Sequence, residues 1–158
     1  MYQKILIPTD GSEFSNIAAL AGVEFARQLH AEVMGIYVAP EYQYPIYVEI
    51  IPPSYPSEED YMASMRTAGE VHLQTIRQAA EAAGLKFTGV IEFADATAKT
   101  IAHAAKQNQC DLIFMGSHGR GGWGQLLLGS VTSKVLSLCK IPVLVYRVEE
   151  TASSGQAA

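Results

Sequence analysis

Apolar residues gather in five short runs along the chain, and between them the spacing turns helical or breaks down. Lys4–Pro8 (KILIP) is apolar and rich in β-branched residues, as suits a strand buried on both faces. Thr9-Asp10-Gly11-Ser12 interrupts it. A helix then runs to about His30, with Phe14, Ala18, Ala21, Phe25 and Leu29 at steps of three and four. Glu32–Val38, Lys86–Phe93, Leu112–Met115 and Pro142–Val148 read as four further strands. A long helix is predicted over Ser57–Gly84. Ser57 is placed to cap it, and Glu58, Glu59 and Asp60 complement its dipole. Met62, Met65, Leu73, Ile76, Ala80 and Ala83 form its stripe, and Gly84 ends it. Asp95 is placed to cap a third helix reaching about Asn108. Ser130–Cys139 reads as a fourth, with Val131, Val135 and Leu138 on one face. Regular alternation of strand and helix predicts an α/β fold, a mostly parallel sheet with helices on both faces.

Residues 39–57 break the pattern. They hold five of the seven prolines and four of the eight tyrosines. Proline removes ladder donors and blocks helix interiors, so this segment is a loop, long for a compact domain. Its tyrosines form either a partner surface or a variable, partly ordered loop. The segment 149–158 is small and polar, a tail expected to fray.

Composition narrows the class. A chain of 158 residues reads as one domain, over residues 1–148, large enough to fold without staples. A net charge of −5 argues against a nucleic-acid partner, although a local basic patch is compatible with it. Two cysteines, Cys110 and Cys139, are too few for a disulfide framework; they are buried reduced thiols or a redox pair. The amino terminus runs straight into a strand without a signal peptide, and no apolar run reaches the roughly 18 residues of a membrane span. The expectation is a cytoplasmic protein without membrane insertion.

Chemistry concentrates at two strand ends. In an open parallel sheet, ligands bind beyond the carboxyl ends of the strands, where strand order reverses. The first strand ends in Pro8-Thr9-Asp10-Gly11. The fourth ends in Gly116-Ser117-His118-Gly119 and continues through six glycines within 14 residues, up to Gly129. Glycines allow a ligand to approach the backbone closely. Gly129-Ser130-Val131-Thr132 then opens a helix, whose free N–H groups and dipole suit a phosphate. Ser130 and Thr132 add hydroxyls, and Arg120 adds charge or points to solvent. His118 either lies near the phosphates or is simply exposed. Asp10 either caps the first helix, in competition with Ser12, or touches the ligand as well. Trp123 covers the ligand, anchors the loop or meets a partner.

Gly124-x4-Gly129-Ser130 has P-loop glycine spacing but lacks the lysine. Gly119-x-Gly121-x-x-Gly124 spells G-x-G-x-x-G in the wrong place, after the fourth strand and with no acidic residue between Gly124 and Glu149. Gly116-x2-Gly119-x9-Gly129-Ser130 is complete. It resembles the signature of the ATP-binding branch of the universal stress protein family, as do KILIPTDGSE and IPVLVYR. The resemblance covers about residues 2–148. It implies a Rossmann-like five-stranded parallel sheet in the order 3-2-1-4-5, of the adenine-nucleotide alpha-hydrolase-like type. It further implies that Pro8, Thr9 and Asp10 meet the adenosine part and Val38 the base. Met115 and Gly116 would border base and ribose, and Gly119, Gly129, Ser130, Val131 and Thr132 would hold phosphates. The implied ligand is ATP, or AMP or ADP, with Mg2+ or Mn2+ carried by the phosphates. A homodimer through the apolar fifth strand, Val143–Tyr146, is also implied.

The histidines are scattered, and neither a zinc spacing nor a G-x-S-x-G elbow occurs. The resemblance implies a nucleotide-responsive regulator in stress response, with an unidentified protein partner, and no catalytic motif in the sequence points elsewhere. The alternative is a slow ATP-hydrolysing enzyme of the wider adenine-nucleotide-binding group. Pyrophosphatases of that group carry Ser-Gly-Gly-x-Asp-Ser after the first strand, where this chain has Thr9-Asp10-Gly11-Ser12.

Overall fold

A computed structural model describes residues 1–46, 49–118 and 127–148. In chain order the elements are β1 (Lys4–Pro8), α1 (Glu13–Leu29), β2 (Glu32–Ala39), α2 (Glu58–Ala82), β3 (Phe87–Phe93), α3 (Thr97–Gln107), β4 (Leu112–Gly116), α4 (Ser130–Leu138) and β5 (Val143–Tyr146). The strands form one five-stranded sheet in the order β3-β2-β1-β4-β5, every pair parallel. Chain order therefore reverses between β1 and β4.

Successive strand residues point to opposite faces, and the sequence fills both. Ile5, Ile7, Val33, Leu112 and Phe114 pack under α1 and α2 with Val23, Ala26, Ile76 and Ala80. Leu6, Met34, Ile36, Ile113 and Met115 pack on the other face with Ala98, Ile101, Ala105 and Val135. This explains why the central strands read as continuous apolar runs.

The buried face of α1 differs from the predicted stripe. It consists of Ser15, Ala18, Ala19, Gly22, Val23 and Ala26, while Phe14, Ala21, Phe25 and Leu29 lie on its flank, half-buried. Small residues let the helix sit close to the sheet. A Cβ at Gly22 would come within 2.8 Å of the Phe114 ring and 2.9 Å of Ile7. The predicted stripe shares Ala18 with the buried face and is otherwise rotated toward its flank, where Ala21, Phe25 and Leu29 pack against the core.

Ser57 caps α2 as expected, its Oγ accepting from the Asp60 N–H at 3.1 Å. Asp95 does not cap α3. The N-cap is Ala96, without a side-chain hydrogen bond, and Asp95 Oδ1 accepts instead from the Glu41 N–H at 3.0 Å. The carboxylate thus ties the β3–α3 turn to the start of the proline-rich loop.

That loop is sewn together by three of its own tyrosines and by Tyr61 of α2. Tyr42 donates to the Pro56 carbonyl at 2.7 Å, Tyr55 to Gln43 at 2.5 Å and Tyr61 to Pro40 at 2.8 Å. Tyr44 donates to Glu58 at 2.5 Å. The rings of Tyr44, Tyr55 and Tyr61 stand 5.1 to 6.2 Å from that of Tyr42. Cys110 and Cys139 are both free thiols, and burial pushes the Cys110 thiol up to about 11.

Candidate functional site

The cleft lies where strand order reverses, and the backbone explains why it opens. β1 pairs with β2 along its length, through Pro8↔Ile36, and Thr9 then donates to the Ile36 carbonyl at 2.9 Å. With β4 it is registered only at Ile5↔Leu112 and Leu6↔Ile113. Consecutive N–H groups of a strand point to opposite neighbours. The donor that Pro8 lacks therefore falls on the β4 side. Among the described residues the ladder between these two strands ends at Leu6↔Ile113, while β4 continues against β5 as far as Gly116↔Tyr146.

A cavity of about 440 Å³ occupies this place, within the usual range of small-molecule sites, roughly 300–1,000 Å³. The β1 end contributes Pro8, Thr9 and Asp10, α1 contributes Ser15, and β2 contributes Val38. Thr97 and Ile101 come from α3, and Met115, Gly116 and His118 from β4 and its continuation. The start of α4 contributes Gly129, Ser130, Val131 and Thr132. Every described residue singled out from the sequence thus lines one cleft. Gly119, Arg120 and Trp123 lie outside the described residues, as does the tail 149–158.

The β1–α1 turn is a closed network. Ser12 is the N-cap of α1, its Oγ accepting from the Ser15 N–H at 3.2 Å. Asp10 Oδ1 accepts from the Ser12 N–H at 2.9 Å, so Asp10 shapes the turn while lining the cleft. The buried Ser15 hydroxyl donates to Thr9 Oγ1 at 3.1 Å and accepts from the Asp10 N–H at 3.2 Å. Gly11 sits at φ +76°, in the left-handed region that disfavours side chains, and donates to Thr9 Oγ1 at 3.1 Å. The His72 ring packs against it, with its Cε1 and Nδ1 2.2 Å from where a Cβ would stand.

The α4 side is open by comparison. Gly129 is the N-cap and offers no side chain, so among the described residues the first N–H groups of α4 have no side-chain cap. The Gly129 N–H is itself bonded to the Ser117 carbonyl at 2.8 Å, and the Ser117 N–H to Tyr146 at 2.9 Å. Thr132, buried, donates to the Gly116 carbonyl at 2.9 Å and docks the helix on the end of β4. His118 is half-buried rather than simply exposed. Its Nε2 meets the Leu127 carbonyl, and its Nδ1 lies 3.0 Å from Ser117 Oγ. A nitrogen bonded to a carbonyl must carry the proton, so in the neutral ring Nδ1 accepts from Ser117. With both nitrogens engaged, His118 clamps the two ends of the glycine segment. Asp10 is the one carboxylate in the described lining.

Sequence reasoning missed Ser15, Thr97 and Ile101. Ser15 had a signal, since Ser12-x-x-Ser15 spans the first helical turn. Thr97 and Ile101 follow the carboxyl end of β3, the edge strand away from the switch point, and no motif marks them.

A doubly wound parallel sheet with a cleft at its switch point defines a Rossmann-like α/β fold. A sequence profile of the Universal stress protein family matches residues 1–147. The chain belongs to the universal stress protein family. Universal stress protein MJ0531 of Methanocaldococcus jannaschii is 34% identical over 152 residues, spanning 93% of this chain and 83% of the relative. The solved structure of MJ0577, from the same organism, has a TM-score of 0.78 at 29% identity, covering 96% of this chain and 99% of the other. Two more distant structures share the fold. One is a universal stress protein in complex with cAMP, with TM-score 0.63 and 22% identity over 92% of this chain and 97% of the other. The other, from Archaeoglobus fulgidus in complex with dAMP, has TM-score 0.61 and 18% identity over 91% and 97%. No helix among the described residues is long and apolar enough to cross a membrane.

Proposed function

We propose that the cleft binds an adenine nucleotide, ATP or a lower phosphate, and that the protein acts as a nucleotide-responsive regulator. The observation that carries this reading is the uncapped start of α4, open to a cleft that also holds Asp10 and an apolar wall. The N–H groups at Ser130, Val131 and Thr132 suit phosphate oxygens. Val38, Ile101, Met115 and Val131 suit a flat base, and Asp10 suits ribose hydroxyls. The cAMP and dAMP held by two proteins of this fold support the ligand class.

Among the described residues no group of three or more His, Cys, Asp and Glu could hold a metal ion. One carboxylate and two hydroxyls fit a divalent cation that arrives on the phosphates and keeps much of its water. Mg2+ or Mn2+ would rest on the ligand, with Ser130 and Thr132 nearby.

Regulation requires two states with different nucleotide affinity. The edge strand β5 is the proposed assembly surface. It is the last strand of the sheet and its Tyr146 is exposed, as are Leu136 and Leu138 at the end of α4. Light scattering at micromolar concentration should give a dimer; a monomer with and without nucleotide would remove this part of the proposal.

The test of the site is equilibrium binding of ATP, ADP, AMP and cAMP, with and without Mg2+, to the wild type and to Gly129→Val. Tight binding lost in the folded variant is the expected result. No binding of any of them to the wild type would overturn the reading.

A further inference from the structure

The hydroxyls lining the cleft divide into two groups. Thr9, Ser15 and Thr132 are engaged with protein atoms. Ser130 and Thr97 make no side-chain hydrogen bond among the described residues. Ser130 belongs to the glycine signature and the phosphate end. Thr97 does not; it is the first residue of α3, with Val38 of β2 among the other lining residues.

Its position on α3 decides what it can meet. Thr97 and Ile101 are four residues apart, hence on one helical face. Ile101 is 2% exposed and packs in the core cluster with Met34, Ile36 and Ala98. The α3 wall of the cleft is thus apolar at Ile101 and polar one turn nearer the helix start. An apolar slot with a single hydroxyl at its edge suits a planar heterocycle whose ring is buried and whose edge carries one polar group. The sugar and phosphates have their own partners at Asp10 and the α4 start.

Resting on the nucleotide reading above, we propose that Thr97 is a specificity-determining residue whose hydroxyl accepts a hydrogen bond from the 6-amino group of the bound purine. A threonine oxygen has free lone pairs for such a donor. A site built to bond a polar group discriminates strongly against analogues lacking it. Thr97 would thereby help select an aminopurine.

The test compares ATP with purine riboside 5′-triphosphate, which differs only in lacking the 6-amino group. Both are titrated calorimetrically into wild type, Thr97→Val, Thr97→Ala and Thr97→Ser, each first shown by circular dichroism to melt as the wild type does. Removing one neutral hydrogen bond should weaken ATP binding about 5- to 20-fold in the valine and alanine variants. Serine should restore it to within about 3-fold, because it keeps the hydroxyl. The analogue should bind wild type and both hydroxyl-free variants alike, since the amino group and the hydroxyl act as one pair. Unchanged ATP affinity in the hydroxyl-free variants would overturn the proposal while leaving the nucleotide reading intact. So would an equal loss for ATP and analogue, which would assign the hydroxyl to sugar or phosphate. A wild type that binds neither nucleotide would overturn both.

Discussion

Two helix starts flank the same cleft, and they are built in opposite ways. The start of α1 is densely bonded by its own side chains: Ser12 caps Ser15, Asp10 holds Ser12, and the Ser15 hydroxyl donates to Thr9. The start of α4 has glycine at its N-cap and no side-chain cap among the described residues. A densely bonded start spends its polar groups on its own shape, and its value to a ligand is the rigidity of what it presents. A bare start leaves donors unspent, and an outside anion can complete it. Mutations in the first should therefore register mainly as stability and mutations in the second mainly as affinity.

The largest expected effect tests the bare start. Gly129→Val places a branched side chain where phosphate oxygens approach the backbone. Losing two charge-assisted hydrogen bonds should cost about 100-fold or more in nucleotide affinity. The melting temperature should shift by only a few degrees, because φ at Gly129 is −58°, which any residue adopts. Calorimetric titration paired with thermal melting reads both arms. A variant that melts far lower and binds normally would reverse the comparison.

Gly11→Ala comes next and probes the densely bonded start. The added methyl meets a φ of +76° and the His72 ring together. Strain and displacement should cost about 2–3 kcal/mol, lowering the melting temperature by roughly 5–10 °C. A melt unchanged from wild type would show that His72 and the turn yield freely. The smallest expected effect is that of Ser12→Ala. Loss of the cap should cost about 1 kcal/mol, or roughly 2–4 °C, with nucleotide affinity within about 2-fold. A variant that keeps its stability but loses affinity would place Ser12 on the ligand rather than on the helix.

How much of this was legible in the sequence depended on how local the signal was. β1, β2 and β4 announced themselves because burial on both faces demands unbroken apolar runs. The order of strands came only through the family resemblance that the Gly116, Gly119, Gly129, Ser130 spacing carries, since apolar runs mark strands but do not order them in a sheet. The face of α1 was misread because Ala19, Gly22 and Val23 contribute contact by being small, and small residues carry little periodic signal. Asp95 was misread because a carboxylate one residue before a possible cap competes for any nearby N–H, and the Glu41 amide that won is 54 residues away. Thr97 had no local signature at all. Only the fold brings it into the cleft with Val38 and Asp10.

The tyrosine stitching of the proline-rich loop gives the molecule an optical property. Three phenol rings held 5.1 to 6.2 Å from that of Tyr42 in a chiral arrangement are coupled chromophores, and four of the eight tyrosines sit in this one knot. Near-ultraviolet circular dichroism of the tyrosine band would therefore be weighted toward residues 42–61. Any event that loosens the loop would be visible there without a label.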